Sequence, residues 1–84
     1  MAIQIVYKQE AIRHLKRIGN ADKKKAKKKV LSLLSDPLAG KLLKGEFSGV
    51  YSLRAWPLRI LYIFNPKTKT IIIQTVEYRG QVYK

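Results

Sequence analysis

The chain has 84 residues and carries 18 Lys and Arg against five Asp and Glu, which gives a formal net charge of +13 and a pI near 10.3. It contains no cysteine, so disulfides and thiolate metal sites are excluded, and no apolar run approaches the ~20 residues needed to span a bilayer. The 46% hydrophobic content is too high for a disordered chain. We expect a single domain over residues 1–84 that uses no metal or other cofactor. Because the first residues lack the pattern of a signal peptide, we expect it in the cytoplasm.

The first half of the chain predicts one strand and two helices. Residues 2–7 form a β-rich run, and from Gln9 the apolar residues recur at helical spacing until Gly19-Asn20 breaks the pattern. A second helix begins near Asn20 or Asp22, either of which could cap it, and ends at Asp36-Pro37. We expect the two helices to form an antiparallel hairpin. The apolar positions expected to face inward are Ala11, Ile12, Leu15 and Ile18 in the first helix and Ala26, Val30, Leu33 and Leu34 in the second.

The second half predicts a loop and three strands. The loop, over residues 38–49, is expected to be anchored by Leu42, Leu43 and Phe47. The predicted strands are Val50–Ala55, Arg59–Asn65 and Thr70–Glu77, and Asn65-Pro66-Lys67-Thr68 is expected to form a hairpin turn between the last two. The order β-α-α-β-β-β predicts an α+β fold, in which the helical hairpin packs on one face of a mostly antiparallel four-stranded sheet. We expect the other face of the sheet to be open and polar.

The charge indicates a polyanionic partner, with nucleic acid favoured, an acidic protein second and an anionic membrane third. Six lysines are concentrated in the second helix: Lys23, Lys24, Lys25, Lys27, Lys28 and Lys29. A charge run on a helix is usually a solvated face. Because six like charges also repel one another and destabilise the helix, we favour a role in binding RNA phosphates.

No conventional catalytic set is evident in the sequence. We interpret the only histidine, His14, as a surface side chain, and the five carboxylates are too scattered to predict an acidic pair. Arginines and tyrosines in the β half offer another chemistry, since strand ends that meet can place Arg54, Arg59 and Arg79 around one phosphate. Such fixed charges can assist RNA cleavage by the 2′-hydroxyl without a metal.

Several of these residues have more than one interpretation. The base or acid of such a reaction would be Tyr83, Tyr78 or Glu77. Arg54 and Arg59 are either phosphate ligands or solvated residues at a sheet edge, and Trp56 either packs on its turn or stacks on a base. We interpret Tyr51 and Tyr62 as packing residues of the sheet. All of these residues lie in the predicted strands or in the segments that follow them.

Two segments of the β half resemble the toxins of the RelE/ParE superfamily. Residues 50–64 contain Tyr-x-Leu-Arg, a short turn and Arg followed by apolar residues and Tyr, and residues 76–83 end in Arg-x-x-Val-Tyr. Together with the element order, the resemblance covers nearly the whole chain. For the RelE branch it implies a ribosome-dependent toxin that cleaves mRNA in the A site by 2′-hydroxyl attack. It also implies a cognate antitoxin as partner.

The resemblance also assigns roles to individual residues. It implies that Arg59 holds the phosphate, that Arg79 stabilises or protonates the leaving group, and that Tyr83 orients the substrate, stacks on it or takes the proton. Arg54 matches a basic position that is lysine in RelE. This chain departs from the pattern at Tyr78, where many relatives have histidine or lysine, and at Ser52, which replaces a second lysine. RelE also has a C-terminal helix after the closing tyrosine, whereas this sequence ends at Lys84.

Two other functions are kept as alternatives. One is a ParE-type poison of DNA gyrase, a branch that shares the fold and generally lacks the basic cluster at the strand ends. The other is a non-catalytic basic RNA-binding module, which the lysine helix would suit. We expect Tyr78 and the six lysines to contact RNA in the favoured interpretation.

Overall fold

The computed structural model describes residues 2–43, Gly45 and residues 49–78. The predicted α+β class and the placement of two helices on a sheet are confirmed. The elements in chain order are β1 (Gln4–Tyr7), α1 (Gln9–Arg17), α2 (Asn20–Ser32), β2 (Lys41–Leu42), β3 (Tyr51–Ala55), β4 (Leu58–Asn65) and β5 (Thr70–Tyr78).

The sheet has five strands in the described residues, in the order β1-β5-β4-β3-β2. β1 runs parallel to β5, and the other neighbours are antiparallel. The predicted number of four strands was wrong, because Lys41 and Leu42 pair with Ser52 and Tyr51 at the edge of β3. A two-residue strand has no periodic pattern of its own, so only its partner strand reveals it.

Each helix packs on its own part of the sheet. α1 contacts β5 and β1, whereas α2 contacts β3 and β4. The two helices lie side by side on the strands and are joined by the two-residue link Ile18-Gly19, as in the predicted helical hairpin. Gly19 is the N-cap of α2 and no side chain caps it, which corrects the expected capping by Asn20 or Asp22.

Of the eight predicted inward positions, five are buried, Leu15 is half-buried and two are exposed. Ile12 is 42% exposed because it lies at the margin of the buried stripe of α1. Leu34 is 43% exposed because α2 ends at Ser32, four residues before the predicted end, so the helical spacing no longer sets its direction. The buried core residues contributed by the helical segments are Ala11, Ile18, Ala26, Val30 and Leu33.

The segment after α2 is held by Tyr62 rather than by the expected leucine anchors. The buried Tyr62 hydroxyl donates to the Pro37 carbonyl and accepts from the Gly40 N–H, each at 2.9 Å. A Cβ at Gly40 would lie 2.9 Å from the Tyr62 ring and hydroxyl, so this close approach requires glycine. Leu42 is exposed, which contradicts its predicted role.

The β half contains the predicted Tyr51–Tyr62 packing, the predicted turn after β4 and a half-buried Leu43. The Tyr62 ring stacks on Tyr51 with centroids 5.4 Å apart, as expected of packing residues. The predicted turn between β4 and β5 is confirmed, since Asn65 Oδ1 accepts from the Lys67 and Thr68 N–H groups. Leu43 is half-buried, and its N–H bonds to the Val50 carbonyl. Phe47 lies outside the described residues.

A bulge in β5 determines which side chains reach each face of the sheet. Tyr62 pairs with Ile73 and Leu61 pairs with Thr75, so Gln74 is left without a partner in the register. One extra residue reverses the alternation of the strand beyond it. Ile71 and Ile73 face the helices before the bulge, and Val76 does so after it. Thr75 and Glu77 thereby point away from this core. Because β1 pairs with β5 only over residues 70–73, α1 lies beside the rest of β5 and still reaches Thr75.

Within the part of the chain that the structure describes, neither helix combines the length and the apolar character needed to cross a membrane.

Candidate functional site

Two arginines and a glutamate form a row across the sheet, on the face opposite the core and α2. Arg54 of β3 pairs with Arg59 of β4, and Arg59 pairs with Glu77 of β5. Directly opposed residues have Cβ atoms about 4.5–5.5 Å apart, so the three side chains share one patch. Their strand neighbours, including Leu53 and Ile60, are buried on the helix side. We call Arg54, Arg59 and Glu77 the arginine row.

A hydrogen-bonded chain connects α1 to this row. His14 Nδ1 lies 2.6 Å from Thr75 Oγ1, and Thr75 Oγ1 donates to Glu77 Oε1 at 3.2 Å. A hydroxyl has one proton to donate, so Thr75 must accept from His14, which places the imidazole proton on Nδ1. His14 Nδ1 is also 3.7 Å from Glu77 Oε1. The chain therefore orients the Glu77 carboxylate next to Arg59.

The position of His14 corrects the expectation of a plain surface side chain. It is half-buried, and it is directed at β5 because it lies three residues after Ala11 and four before Ile18, both of which are buried. This spacing is a signal in the sequence that could have revealed the contact. The partner Thr75 carries no such signal, because its direction depends on the bulge.

A cavity of about 270 Å³ adjoins the Glu77 end of the row. It lies between α1 and the last residues of β5, and its lining combines an imidazole, a guanidinium and a carboxylate with apolar side chains. The lining residues are His14, Arg17, Ile18, Val76, Glu77 and Tyr78. Positively and negatively charged side chains therefore line the same cavity beside the row.

Tyr78 is not brought to the arginine row. It pairs with Leu58, packs against the core on the helix side, and donates its hydroxyl to Asp22 Oδ2 at 3.0 Å. Tyr83, Tyr78 and Glu77 were the candidates for the base or acid. Among the described residues, Glu77 is the only one of them that lies in the row. Arg79 and Tyr83, the other predicted members of the site, lie outside the described residues.

The expected polar character of the open face holds only at one end. Toward the other end, Val6, Ile72 and Ile63 lie side by side on β1, β5 and β4. Val6 is 47% exposed, and the two isoleucines are half-buried. The alternation of the strands places these apolar side chains on the same face as the arginines, because the core side is filled by Ile71 and Ile73. The open face therefore combines an apolar strip with a charged row.

The predicted lysine run lies on α2 and is separate from the row. Lys23 is half-buried, and the other five lysines are exposed. Because α2 packs on the opposite face of the sheet, the lysines and the arginine row face different sides of β3 and β4. In the described residues, no group of three or more His, Asp and Glu side chains has the arrangement of a metal site.

Comparison with solved structures finds the same fold in toxins of toxin–antitoxin systems. A RelBE toxin–antitoxin complex from Mycobacterium tuberculosis matches with a TM-score of 0.87 and 25% identity, covering 94% of this chain and 100% of that chain. The archaeal RelE–RelB complex from Pyrococcus horikoshii OT3 matches with a TM-score of 0.78 and 22% identity, covering 96% and 99%. A YoeB/ParE toxin from Agrobacterium tumefaciens matches with a TM-score of 0.80 and 16% identity, covering 92% and 99%.

Two sequence comparisons were informative to different degrees. A search of curated protein sequences found no match. The model of the ParE toxin family of type II toxin–antitoxin systems matches residues 5–83, which is nearly the whole chain. The chain therefore belongs to the ParE toxin family of type II toxin–antitoxin systems, within the RelE/ParE superfamily.

Proposed function

We propose that this toxin is a metal-independent endoribonuclease that cleaves mRNA in the ribosomal A site and is neutralised by a cognate antitoxin. It would act in the cytoplasm, where ribosomes are found. The arginine row is the observation that carries the proposal. Two guanidinium groups side by side form a binding site for a phosphodiester, because arginine stays charged and donates to phosphate oxygens in a planar, two-pronged geometry.

The cleavage requires the 2′-oxygen to attack the adjacent phosphorus. The O2′–P bond forms, the P–O5′ bond breaks, and the products are a 2′,3′-cyclic phosphate and a 5′-hydroxyl. Arg59 and Arg54 would bind the non-bridging oxygens and stabilise the charge that grows on them in the transition state. Proximity of the 2′-hydroxyl supplies the nucleophile.

Glu77 is the residue of the row that can accept the proton from the 2′-hydroxyl. Its carboxylate is oriented by Thr75 and His14, and it lies opposite Arg59 in the register, which supports this role. Arg79 and Tyr83, which come next in the chain, would complete the site by protonating or stabilising the leaving oxygen and by orienting the substrate. Tyr78 would contact RNA outside the row, at the edge of the cavity.

The lysine helix would contribute binding energy without reading sequence. Exposed ammonium groups bind RNA phosphates mainly by releasing counterions, so the contribution is strong at low salt. Six lysines on one helix suit ribosomal RNA, which presents phosphates on every side. The arginine row would then act on mRNA while α2 holds the ribosome.

Inhibition of DNA gyrase is the second candidate function, because the family model that matches residues 5–83 is that of ParE toxins. The row favours RNA, since two adjacent guanidinium groups suit the non-bridging oxygens of a phosphodiester. Its carboxylate is also oriented by a hydrogen-bonded chain, which suits proton transfer.

One pair of assays separates the two functions. The purified toxin is added to a translation reaction, and primer extension maps new 5′ ends on the mRNA. The same preparation is added to gyrase and relaxed plasmid. Ribosome-dependent stops at A-site codons with normal supercoiling support the ribonuclease, whereas loss of supercoiling without stops assigns gyrase. An Arg59→Ala preparation serves as the control for a contaminating nuclease.

A further inference from the structure

A second groove lies between α2 and the turn that joins β3 to β4. Its volume is about 380 Å³, and three of its lining residues are lysines of one helix face. Lys25, Lys28 and Lys29 are spaced i, i+3 and i+4, so their side chains project in the same direction. The lining residues are Lys25, Lys28, Lys29, Ser32, Ala55 and Trp56.

Trp56 forms the other wall of this groove. It is 63% exposed, which is unusual for the largest apolar side chain, and it is the only tryptophan of the protein. Single-stranded nucleic acids are bound by this combination of an aromatic platform and a basic groove, since bases stack on the ring and ammonium groups bind the phosphates.

The turn that carries Trp56 also joins the two arginines of the row. Arg54 precedes Trp56 by two residues and Arg59 follows it by three, while their side chains face the opposite side of the sheet from α2. The turn therefore connects the strands of the arginine row directly to a wall of the lysine groove. An RNA strand would have to wrap around this turn to contact both.

We propose that the groove between α2 and Trp56 is a subsite for a single-stranded RNA segment that continues from the arginine row. One base stacks on the Trp56 indole, and the phosphates next to it bind Lys25, Lys28 and Lys29. The inference rests on the proposed function, because it takes RNA as the ligand. It assigns Lys25, Lys28 and Lys29 to the nucleotides that flank the cleaved bond, and it leaves Lys23, Lys24 and Lys27 to bind ribosomal RNA.

Trp56 fluorescence provides a direct test. The probe is a single-stranded oligoribonucleotide of about ten nucleotides, within the range bound by known single-strand grooves, with 2′-O-methyl riboses that prevent cleavage. We expect it to quench the fluorescence of the parent. Trp56→Leu should weaken binding of a labelled probe by about 5- to 150-fold, and Trp56→Phe should retain most of the affinity because it keeps an aromatic face.

A charge-matched pair of variants tests the lysines. Lys25, Lys28 and Lys29 changed together to Gln should lower the affinity and reduce the slope of log affinity against log salt by about two to three units. The control changes Lys8, Lys16 and Lys67 to Gln, which removes the same charge from exposed positions outside the groove. The control should retain quenching and a slope close to that of the parent. Circular dichroism confirms that all variants fold.

The inference is overturned if the probe leaves Trp56 fluorescence unchanged, or if Trp56→Leu binds the probe as tightly as the parent. It is also overturned if polyglutamate binds more tightly than RNA and loses affinity in the same variants, because the groove would then hold an acidic protein segment. A different result is expected if the protein binds RNA in the groove and is not a ribonuclease. Absence of ribosome-dependent cleavage together with quenching by the probe would reject the nuclease and keep the groove as an RNA site.

Discussion

Arg54 and Arg59 lie directly opposite each other on neighbouring strands, which is an unfavourable arrangement for stability. Like charges at opposed positions destabilise a sheet, and Glu77 lies opposite Arg59 on the next strand. A polyanion bound to the row would relieve this repulsion. The arrangement therefore favours ligand binding over the alternative that both arginines are merely solvated edge residues.

The closing tyrosine can be assigned a role by a pair of substitutions. Tyr83→Phe keeps the ring and removes the hydroxyl, whereas Tyr83→Ala removes both. We expect a large loss of cleavage in Tyr83→Phe if the hydroxyl transfers a proton or orients the substrate. Nearly normal cleavage in Tyr83→Phe together with a large loss in Tyr83→Ala would leave stacking as the role. Both are measured by primer extension at equal ribosome occupancy.

Residue types and their order were sufficient to predict part of the candidate site from the sequence. The two arginines flank a short turn, so their pairing across β3 and β4 follows from the hairpin itself. Glu77 was considered only as one of three possible bases. Its selection depends on the bulge at Gln74, since strict alternation from Ile71 and Ile73 would have placed Glu77 on the core side.

At the scale of elements, the helices and the long strands were predicted because their apolar residues recur with a clear period. The end of α2 and the short strand β2 were predicted less well. α2 stops at Ser32 although apolar residues continue to Leu34, and β2 exists only as a partner of β3. β2 depends on a neighbour that is distant in sequence, which a local pattern cannot encode. The end of α2 is local, since the Leu33 and Leu34 N–H groups bond three residues back, to the Val30 and Leu31 carbonyls.

Tyr62 is expected to hold the segment between α2 and β3. Tyr62→Phe leaves the Gly40 N–H and the Pro37 carbonyl without their partner, so we expect a loss of about 1 kcal/mol in the free energy of unfolding. Urea denaturation measures it, and Tyr51→Phe is the control because that ring stacks on Tyr62. An unchanged midpoint in Tyr62→Phe would show that the hydroxyl contributes nothing to stability.

The same phenol makes the stability sensitive to high pH. Burial raises the pKa of Tyr62 above its ordinary value of 10.0. The stabilisation is therefore complete below the unfolded-state pKa near 10 and is lost as the pH rises through the higher folded-state value. Above pH 10, the stability of the parent should fall more steeply than that of Tyr62→Phe.

For the whole molecule, the open face of the sheet is the surface that an antitoxin is expected to cover. It joins the apolar strip of Val6, Ile63 and Ile72 to the arginine row, and an amphipathic segment with acidic residues is complementary to both parts. We predict that Arg59 or Arg79 pairs with an antitoxin carboxylate or is buried beneath an antitoxin helix. A structure of the complex tests this, and a complex that leaves both arginines exposed would inhibit only by keeping the toxin off the ribosome.

The arginine row is expected to stabilise the transition state of RNA cleavage, and the single-turnover rate of Arg59→Ala measures this stabilisation. The rate is measured on ribosome-bound mRNA at saturating toxin, so that binding by the lysine helix does not limit it. Loss of one preorganised contact to the developing charge should lower the rate by about 10²–10³-fold, while ribosome binding and folding are retained. Arg79→Ala should behave in the same way. Cleavage by both variants at the parent rate would contradict the account, and growth arrest that persists in both would make gyrase the leading target.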